Sequence, residues 1–167
     1  GKKANDLLYE SYNLLGILYN EREEYDRALE YHKKALASID DQTIPSVFQS
    51  KASSLNNMGY VYLNLKNYEQ AKSHFEKGLN QKNLFEDKPK LYAMLLENLA
   101  YAKFKLNESE GLPYQFYRAL KIRDSLHLTT GIIMNKTHLS EYFAHKKDTL
   151  KAVQYAKQPS ELQQASK

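Results

Sequence analysis

His138, Glu141 and His145 are the side chains whose types and spacing come nearest to those of a metal site. Intervals of three and four residues place them on one face of a helix, where two imidazoles and a carboxylate could hold zinc. The same spacing is typical of a solvated polar helix face, which is the commoner arrangement, and we predict no metal or other cofactor. The chain has no cysteine, which excludes thiolate ligands, disulfides and a cysteine nucleophile.

Catalytic chemistry finds little support elsewhere in the chain. Glu10, Glu97 and Glu141 lie on separate segments and make no obvious general-acid pair. The sequence has no Gly-rich phosphate-binding loop, no Walker pattern and no Ser-His-Asp order. We therefore predict that the protein is not an enzyme.

Composition and charge exclude further classes of protein. The 167-residue chain has 24 Lys and Arg against 20 Asp and Glu, and lysine interleaved with acidic residues is typical of a solvated helix surface. Only four of the basic residues are arginines, so no contact with nucleic acid is predicted. Because no apolar run approaches the ~18 residues of a membrane span, this segment is expected to make no membrane contact.

The elements that position these side chains follow from an internal repeat. The runs that begin at Tyr12 and Leu55 match at seven positions without a gap, and a small residue recurs at intervals of 43, 41 and 40 residues. In the first copy the positions i, i+3, i+4 and i+7 are held by Tyr12, Leu15, Gly16 and Tyr19, a spacing typical of one helix face. A second helix follows after a short polar turn. The recurring small residues are Gly16, Gly59, Ala100 and Ser140.

Eight helices in four antiparallel pairs are predicted. Glycine inside a helix costs about 1 kcal/mol relative to alanine, so Gly16 needs a reason. We expect the second helix to cross the first at this glycine, with Ala28 and Ala35 as the small residues that face it. The helices are expected at 4–21, 24–39, 44–65, 68–82, 88–106, 111–127, 130–145 and 148–158. The repeats then cover 4–39, 44–82, 88–127 and 130–158.

Both ends of the chain suggest a piece of a longer protein. The sequence begins Gly1-Lys2-Lys3 without an initiator methionine or an apolar leader, so we expect the native N-terminus to be missing. Cytoplasmic and periplasmic locations therefore both stay open. At the other end, Ser160 and Gln163 have the spacing of a capping box. Residues 159–167 are expected to form a capping helix or the start of a truncated further repeat.

The repeated residues resemble the tetratricopeptide repeat family. The usual period of that family is 34 residues, so this chain is similar to the longer-period arrays of kinesin light chains and of bacterial sensor and regulatory proteins. The resemblance implies an all-α fold, a right-handed α-solenoid of four antiparallel helix pairs that forms a single array over 1–167. The residues that carry it are Leu15-Gly16, Tyr19, Tyr25, Ala28 and Ala35, and then Met58-Gly59, Tyr62, Tyr68, Ala71 and Phe75.

The resemblance also implies a binding groove, because the first helices of this family line a concave face that binds an extended peptide or a partner helix. Asn57 and Asn98 share one register position there, where an amide can pair with the backbone of an extended ligand. The alternative is that they are ordinary surface residues of an Asn-rich chain. Transferred by register, the groove consists of Asn13, Ile17, Asn57, Tyr60, Met94, Glu97, Asn98, Tyr101, Phe104 and Glu141.

The charge of the inward positions predicts the chemistry of a partner. Four carboxylates against one lysine give a net charge of −3, so we expect a protein or peptide partner with apolar and basic residues. Similar bacterial arrays are often the sensory or regulatory part of a longer protein with an attached kinase or DNA-binding domain, and the resemblance implies the same role here. The alternative is a structural scaffold that oligomerises through its end repeats with no groove ligand. The charged residues are Glu10, Glu21, Glu97, Glu141 and Lys105.

Overall fold

The computed structural model describes residues 2–39 and 45–156, which form helices and connecting turns without a strand. No helix in these two ranges is both long and apolar enough to cross a membrane. The first helices of the four pairs are α1, α3, α6 and α8, and the second helices are α2, α4, α7 and α9. Their bounds are α1 Lys2–Glu21, α2 Tyr25–Ala37, α3 Pro45–Asn64, α4 Tyr68–Leu79, α5 Leu84–Asp87, α6 Pro89–Lys105, α7 Tyr114–Ser125, α8 Thr129–His145 and α9 Thr149–Ala156.

The all-α fold predicted from the sequence is confirmed, with two differences in the elements. The four-residue helix α5 was not predicted, because a periodicity cannot identify so short a helix; it is held by Leu84, which is 3% exposed in the core cluster of Phe75 and Leu95. Helix α7 begins at Tyr114 and not at 111, since the preceding residues form a turn closed by the Leu112 amide. The predictions for 40–44 and 157–167, including the capping helix, lie outside the described residues.

The same turn follows the first helix of every pair. Glu23, Lys66, Asn107 and Lys147 each adopt a left-handed conformation, with φ between 59° and 62°. In each turn the following amide N–H donates to the carbonyl five residues earlier at 2.9 Å, which satisfies a carbonyl at the end of the first helix. The intervals between these four residues equal those between the recurring small residues. The repeat in sequence is therefore a repeat in backbone geometry.

An aromatic ring explains the small residue in the first helix. A Cβ at Gly16 would lie 2.5 Å from the His32 ring, and one at Gly59 would lie 2.4 Å from the Phe75 ring. The close approach expected at Gly16 is confirmed, and the nearest group is the His32 ring, which lies between the buried Ala28 and Ala35 on the second helix. In the third repeat Ala100 and Phe116 belong to one buried cluster.

Neighbouring pairs stack because the second helix of one pair packs against the first helix of the next. Helix α2 packs on α3, α4 on α6, and α7 on α8. Val61, Ala102 and Tyr142 hold equivalent positions on α3, α6 and α8, and each is buried in a cluster with the preceding second helix. The stack brings α1, α3, α6 and α8 together on one face.

His32 is the polar counterpart of Phe75 and Phe116, which hold the equivalent position in the second and third repeats. Its side chain is 1% exposed, and its Nδ1 lies 3.2 Å from Asn13 Oδ1. Burial lowers the pKa of His32 from its usual 6.5 to about 4, because the surroundings disfavour the charged imidazolium. The ring is therefore neutral near pH 7 and packs as an aromatic residue.

Replacing Gly59 by alanine should destabilise the protein. The added methyl group would meet the buried Phe75 ring, and overpacking of this kind costs about 2 kcal/mol of unfolding free energy after the better helix propensity of alanine is included. Urea unfolding followed by circular dichroism measures the loss. Phe75→Leu is the matched background, since it opens the space, and Gly59→Ala should then cost much less. Equal losses in the two backgrounds would contradict the ring contact.

Acid should destabilise the protein through His32. The unfolded chain accepts a proton near pH 6.5 whereas the folded chain resists it down to about 4, so this contribution is complete above pH 6.5 and is lost as the pH falls toward 4. Between about pH 7.5 and about pH 5 we expect a loss of about 2 kcal/mol from this residue. His32→Phe, which copies the ring of the second and third repeats, should remove that part of the pH dependence in urea titrations. An unchanged pH dependence in His32→Phe would rule the assignment out.

Candidate functional site

Three adjoining cavities run along the face made by the first helices, and we call this concave surface the groove. The central cavity has a volume of about 590 Å³, with cavities of about 430 Å³ and about 410 Å³ on either side. Lys90 and Met94 line both the central and the 430 Å³ cavity, while Tyr60, Asn98 and Met134 line both the central and the 410 Å³ cavity. The shared walls make the three cavities one continuous depression across α1, α3, α6 and α8.

Most of the groove residues predicted from the sequence line these cavities. The others do not: Ile17 lies on α1 outside them, Glu141 is exposed on α8, and Phe104 borders a separate cavity of about 170 Å³. Glu97 is fully buried beneath the groove. The predicted residues that the structure brings together are Asn13, Asn57, Tyr60, Met94, Asn98 and Tyr101.

The sequence did not predict that the turn between α7 and α8 lines the central cavity. This segment closes one side of the central cavity, and register reasoning over the first helices could not reach it because it lies before α8 begins. Lys88 and Lys90 were missed for a similar reason, since they precede the helical turns used for the register. The turn residues and first residues of α8 that line the cavity are His127, Leu128, Thr129 and Thr130.

Asparagine amides link successive first helices. Asn57 Nδ2 donates to Asn13 Oδ1 at 3.0 Å, and Asn98 Nδ2 donates to Asn56 Oδ1 at 2.9 Å. The two donors hold one register position, and the two acceptors hold another. Asn98 is only 5% exposed. These contacts show that the amides of Asn57 and Asn98 serve in contacts between repeats, while the ligand role predicted for them stays a prediction.

The third link of this series carries charge. Glu97 holds the acceptor register and His138 the donor register, and His138 Nδ1 lies 3.3 Å from Glu97 Oε2. The Oε1 atom of Glu97 accepts from Arg123 Nη1, which also donates to Asn135 Oδ1 at 3.2 Å and to the Gly131 carbonyl at 3.1 Å. We call Glu97, Arg123 and Asn135 the buried ion network. It ties α6, α7 and α8 together.

The charge predicted for the groove is corrected by the positions of its carboxylates. Register reasoning counted Glu97 as an inward carboxylate, but its side chain is fully buried against Arg123 of the second helix α7. Of the residues described, those that line the three cavities include no Asp or Glu, so Glu10, Glu21 and Glu141 do not line them either. The charged residues that do line them are Lys66, Lys88, Lys90, Lys105 and Arg123.

The two tyrosines at equivalent inward positions differ in their surroundings. Tyr60 is 43% exposed between two cavities. Tyr101 stacks on the His138 ring with centroids 4.1 Å apart, and Lys105 Nζ lies 5.5 Å from its centroid. Burial, with a smaller contribution from the Glu141 charge, raises the pKa of Tyr101, so its hydroxyl stays protonated near neutral pH. The Tyr60 ring is therefore open to a ligand in the groove, whereas part of the Tyr101 ring is covered by His138.

His138, Glu141 and His145 do not gather into a metal site. His138 is stacked on Tyr101, whereas the His145 ring packs edge-on against Phe104 with centroids 5.5 Å apart. Over 2–39 and 45–156 no group of three or more His, Cys, Asp or Glu residues could hold a metal ion.

Comparisons with known proteins agree with this architecture. Two family models, both described as tetratricopeptide repeat, match residues 10–39 and 52–83. These two segments are tetratricopeptide repeats, and the matches support an array of that family. Repeats of this family generally mediate protein–protein interaction and are typically non-catalytic.

A solved structure shows the same fold. BtubC (BKLC) from P. vanneervenii superposes with a TM-score of 0.75 at 21% sequence identity, over 90% of this chain. The chain spans 61% of the length of that protein, and the likeness shows the fold alone. No curated protein matches this chain.

Removing the charge of Glu97 should be costly. Glu97→Gln leaves the Arg123 guanidinium buried without its counter-ion, and breaking a buried pair in this way costs about 3–5 kcal/mol of unfolding free energy. Glu108→Gln is the control, because it breaks the Lys72–Glu108 pair at partly exposed side chains and should cost less than about 1 kcal/mol. Urea unfolding measures both variants. Similar small losses in the two would show that the buried network does not stabilise the stack.

Proposed function

We propose that this chain binds a segment of a partner protein along the groove. The observation that carries the proposal is the continuity of the three cavities across all four first helices. A depression that crosses four helices suits an extended segment or one helix of a partner, which contacts successive repeats in turn. The general role of tetratricopeptide repeats in protein–protein interaction supports the same function.

The central cavity provides the place for an apolar anchor. Its volume of about 590 Å³ lies within the range of protein pockets that enclose a ligand group. Its apolar lining includes Met94, Met134, Tyr60 and Leu128, and the flexible thioethers can adapt to different side chains. Met134 and Tyr60 are 41% and 43% exposed, so they offer apolar area for burial on binding.

The charges around the groove favour acidic residues beside that anchor. Lys66, Lys88, Lys90 and Lys105 line the cavities, and the carboxylate of Glu97 is already paired with Arg123. An acidic segment would therefore meet complementary charge, which raises the association rate and disfavours basic competitors. We propose an acidic, apolar segment in place of the basic one that the sequence suggested.

The backbone of a bound segment could still pair with the groove asparagines. An asparagine that donates one N–H to a neighbouring repeat keeps a second N–H and a carbonyl oxygen. Asn57 and Asn98 line the central cavity in this state. We propose that their remaining N–H and carbonyl groups bind the partner segment while their contacts between repeats are kept.

A wider role follows from the family resemblance alone. We propose that the array is the sensory or regulatory part of a longer bacterial signalling or transcription-regulatory protein, in which an occupied groove changes the curvature of the stack. The test is whether a groove-binding peptide changes the activity of a kinase or DNA-binding domain encoded in the same reading frame. An absence of any such domain from that frame would overturn this role and leave the binding proposal intact.

Defined peptide libraries test the binding proposal. Phage-displayed peptides with one apolar anchor and acidic flanks should be enriched on the protein over a matched library with basic flanks. For a selected peptide, Tyr60→Ser and Met134→Ser should each weaken binding about tenfold in fluorescence anisotropy, which corresponds to about 1.4 kcal/mol. Lys90→Glu should weaken acidic peptides and spare neutral ones.

Tyr114→Ser is the matched control for these variants. Tyr114 is 74% exposed on α7 and lines none of the three cavities, so its loss should leave binding unchanged. Enrichment of basic peptides would overturn the charge assignment. Binding that survives both Tyr60→Ser and Met134→Ser would overturn the groove as the site.

A further inference from the structure

Sulfur chemistry in this chain is confined to three methionines, because the sequence has no cysteine. Met94 and Met134 line the central cavity of the groove, and Met134 is 41% exposed. Met58 is 4% exposed and belongs to the buried cluster of Ala28 and Val61. Two of the three thioethers therefore line the surface of the proposed partner site, and the third lies in the core.

The two groove methionines hold equivalent positions in neighbouring repeats. Met94 lies six residues before Ala100 on α6, and Met134 lies six residues before Ser140 on α8. They also form walls between cavities, because Met94 lines the cavity of about 430 Å³ as well as the central one, and Met134 lines the cavity of about 410 Å³. A chemical change at either sulfur therefore alters a wall that two cavities share.

The two sulfur atoms differ in their surroundings. Asn56 Nδ2 donates to Met94 Sδ at 3.1 Å, and Asn56 Oδ1 accepts from Asn98 Nδ2 at 2.9 Å. The Met94 thioether is thus attached to one of the polar links between repeats, and its side chain is partly buried. Because an oxidant must reach a lone pair on sulfur, we expect the more exposed Met134 to react first and Met94 to follow more slowly.

We propose that Met94 and Met134 form a site of reversible oxidation by peroxides, and that their conversion to sulfoxides closes the groove to an apolar anchor. A lone pair on Sδ attacks one oxygen of hydrogen peroxide, and the S–O bond forms as the O–O bond breaks. The hydroxide that leaves takes up the proton of the transferred oxygen and becomes water. The sulfur loses two electrons, and the peroxide gains them.

Oxidation replaces an apolar contact in the groove by a strong dipole. A thioether packs against apolar side chains, whereas a sulfoxide oxygen accepts hydrogen bonds and is costly to bury without a donor. An apolar anchor that enters the central cavity would have to remove water from that oxygen. This effect on binding rests on the proposed function of the groove, whereas the selective oxidation of Met134 and Met94 does not.

Mass spectrometry tests the site without any partner. The folded protein is treated with hydrogen peroxide, and trypsin then separates the three methionines into different peptides, because lysines or arginines lie between them. Met134 should oxidise about tenfold faster than Met58, with Met94 between the two. The same treatment in urea is the control, since unfolding exposes all three and should make their rates similar. Equal rates for Met58 and Met134 in the folded protein would overturn the site.

Fluorescence anisotropy tests the effect on binding, with a peptide selected from the library with acidic flanks. Peroxide treatment should weaken binding of that peptide about tenfold. Sulfoxide reductases with dithiothreitol should restore it, since two thiols become a disulfide while the sulfoxide oxygen leaves as water. The double variant Met94→Leu/Met134→Leu has a starting affinity of its own, which peroxide should not change. Met58→Leu is the matched control and should respond to peroxide like wild type, and circular dichroism checks that treated protein stays folded.

The outcomes separate this proposal from that of the groove. If the selected peptide binds oxidised and untreated protein equally, or if peroxide still weakens its binding to the double leucine variant, the oxidation site is overturned and the groove remains the binding site. If no peptide is enriched, the groove is overturned, and with it the effect of oxidation on binding. The oxidation rates of the three methionines would then still decide whether the groove sulfurs are selectively oxidised.

Discussion

Every helix pair of this array depends on the same constraint, the room that a small residue on the first helix leaves for the second. In the first two repeats a ring fills that room, His32 over Gly16 and Phe75 over Gly59. The fourth repeat uses the space differently, since Ser140 Oγ donates to the Ala152 carbonyl at 2.7 Å. Because the contact fixes how closely the helices of a pair approach, it also fixes where the next pair can stack.

Polar links between repeats then determine the alignment of the first helices. The pairs Asn13–Asn57 and Asn56–Asn98 recur at the same two register positions, and Glu97 and His138 occupy those positions in the next step. A slip of one residue would leave buried amides and a buried carboxylate without these partners, and an unsatisfied buried polar group costs about 1–3 kcal/mol. The groove is continuous because these links keep the first helices in register.

The sequence predicts the helices well because their apolar positions follow the helical period and recur in four copies. It predicts less about which polar residues face solvent. Asn98 and Glu97 satisfy the register of an inward residue, yet both are buried by partners that the period of one helix cannot reveal. Arg123 lies on another helix, and only the three-dimensional stack brings it under Glu97. Register alone gives the direction of a side chain, and its surroundings decide whether it is available.

The charge of the groove shows how much depends on where each inward side chain finally lies. By register the first helices present a surplus of carboxylates. In the structure Glu97 is paired with Arg123, and the other three inward carboxylates line none of the three cavities. The charged residues that do line them are lysines and Arg123. The buried pair therefore has two effects, since it holds three helices together and removes a negative charge from the surface above it. A partner in this groove would meet Arg123 at the wall of the central cavity with its charge already paired to Glu97.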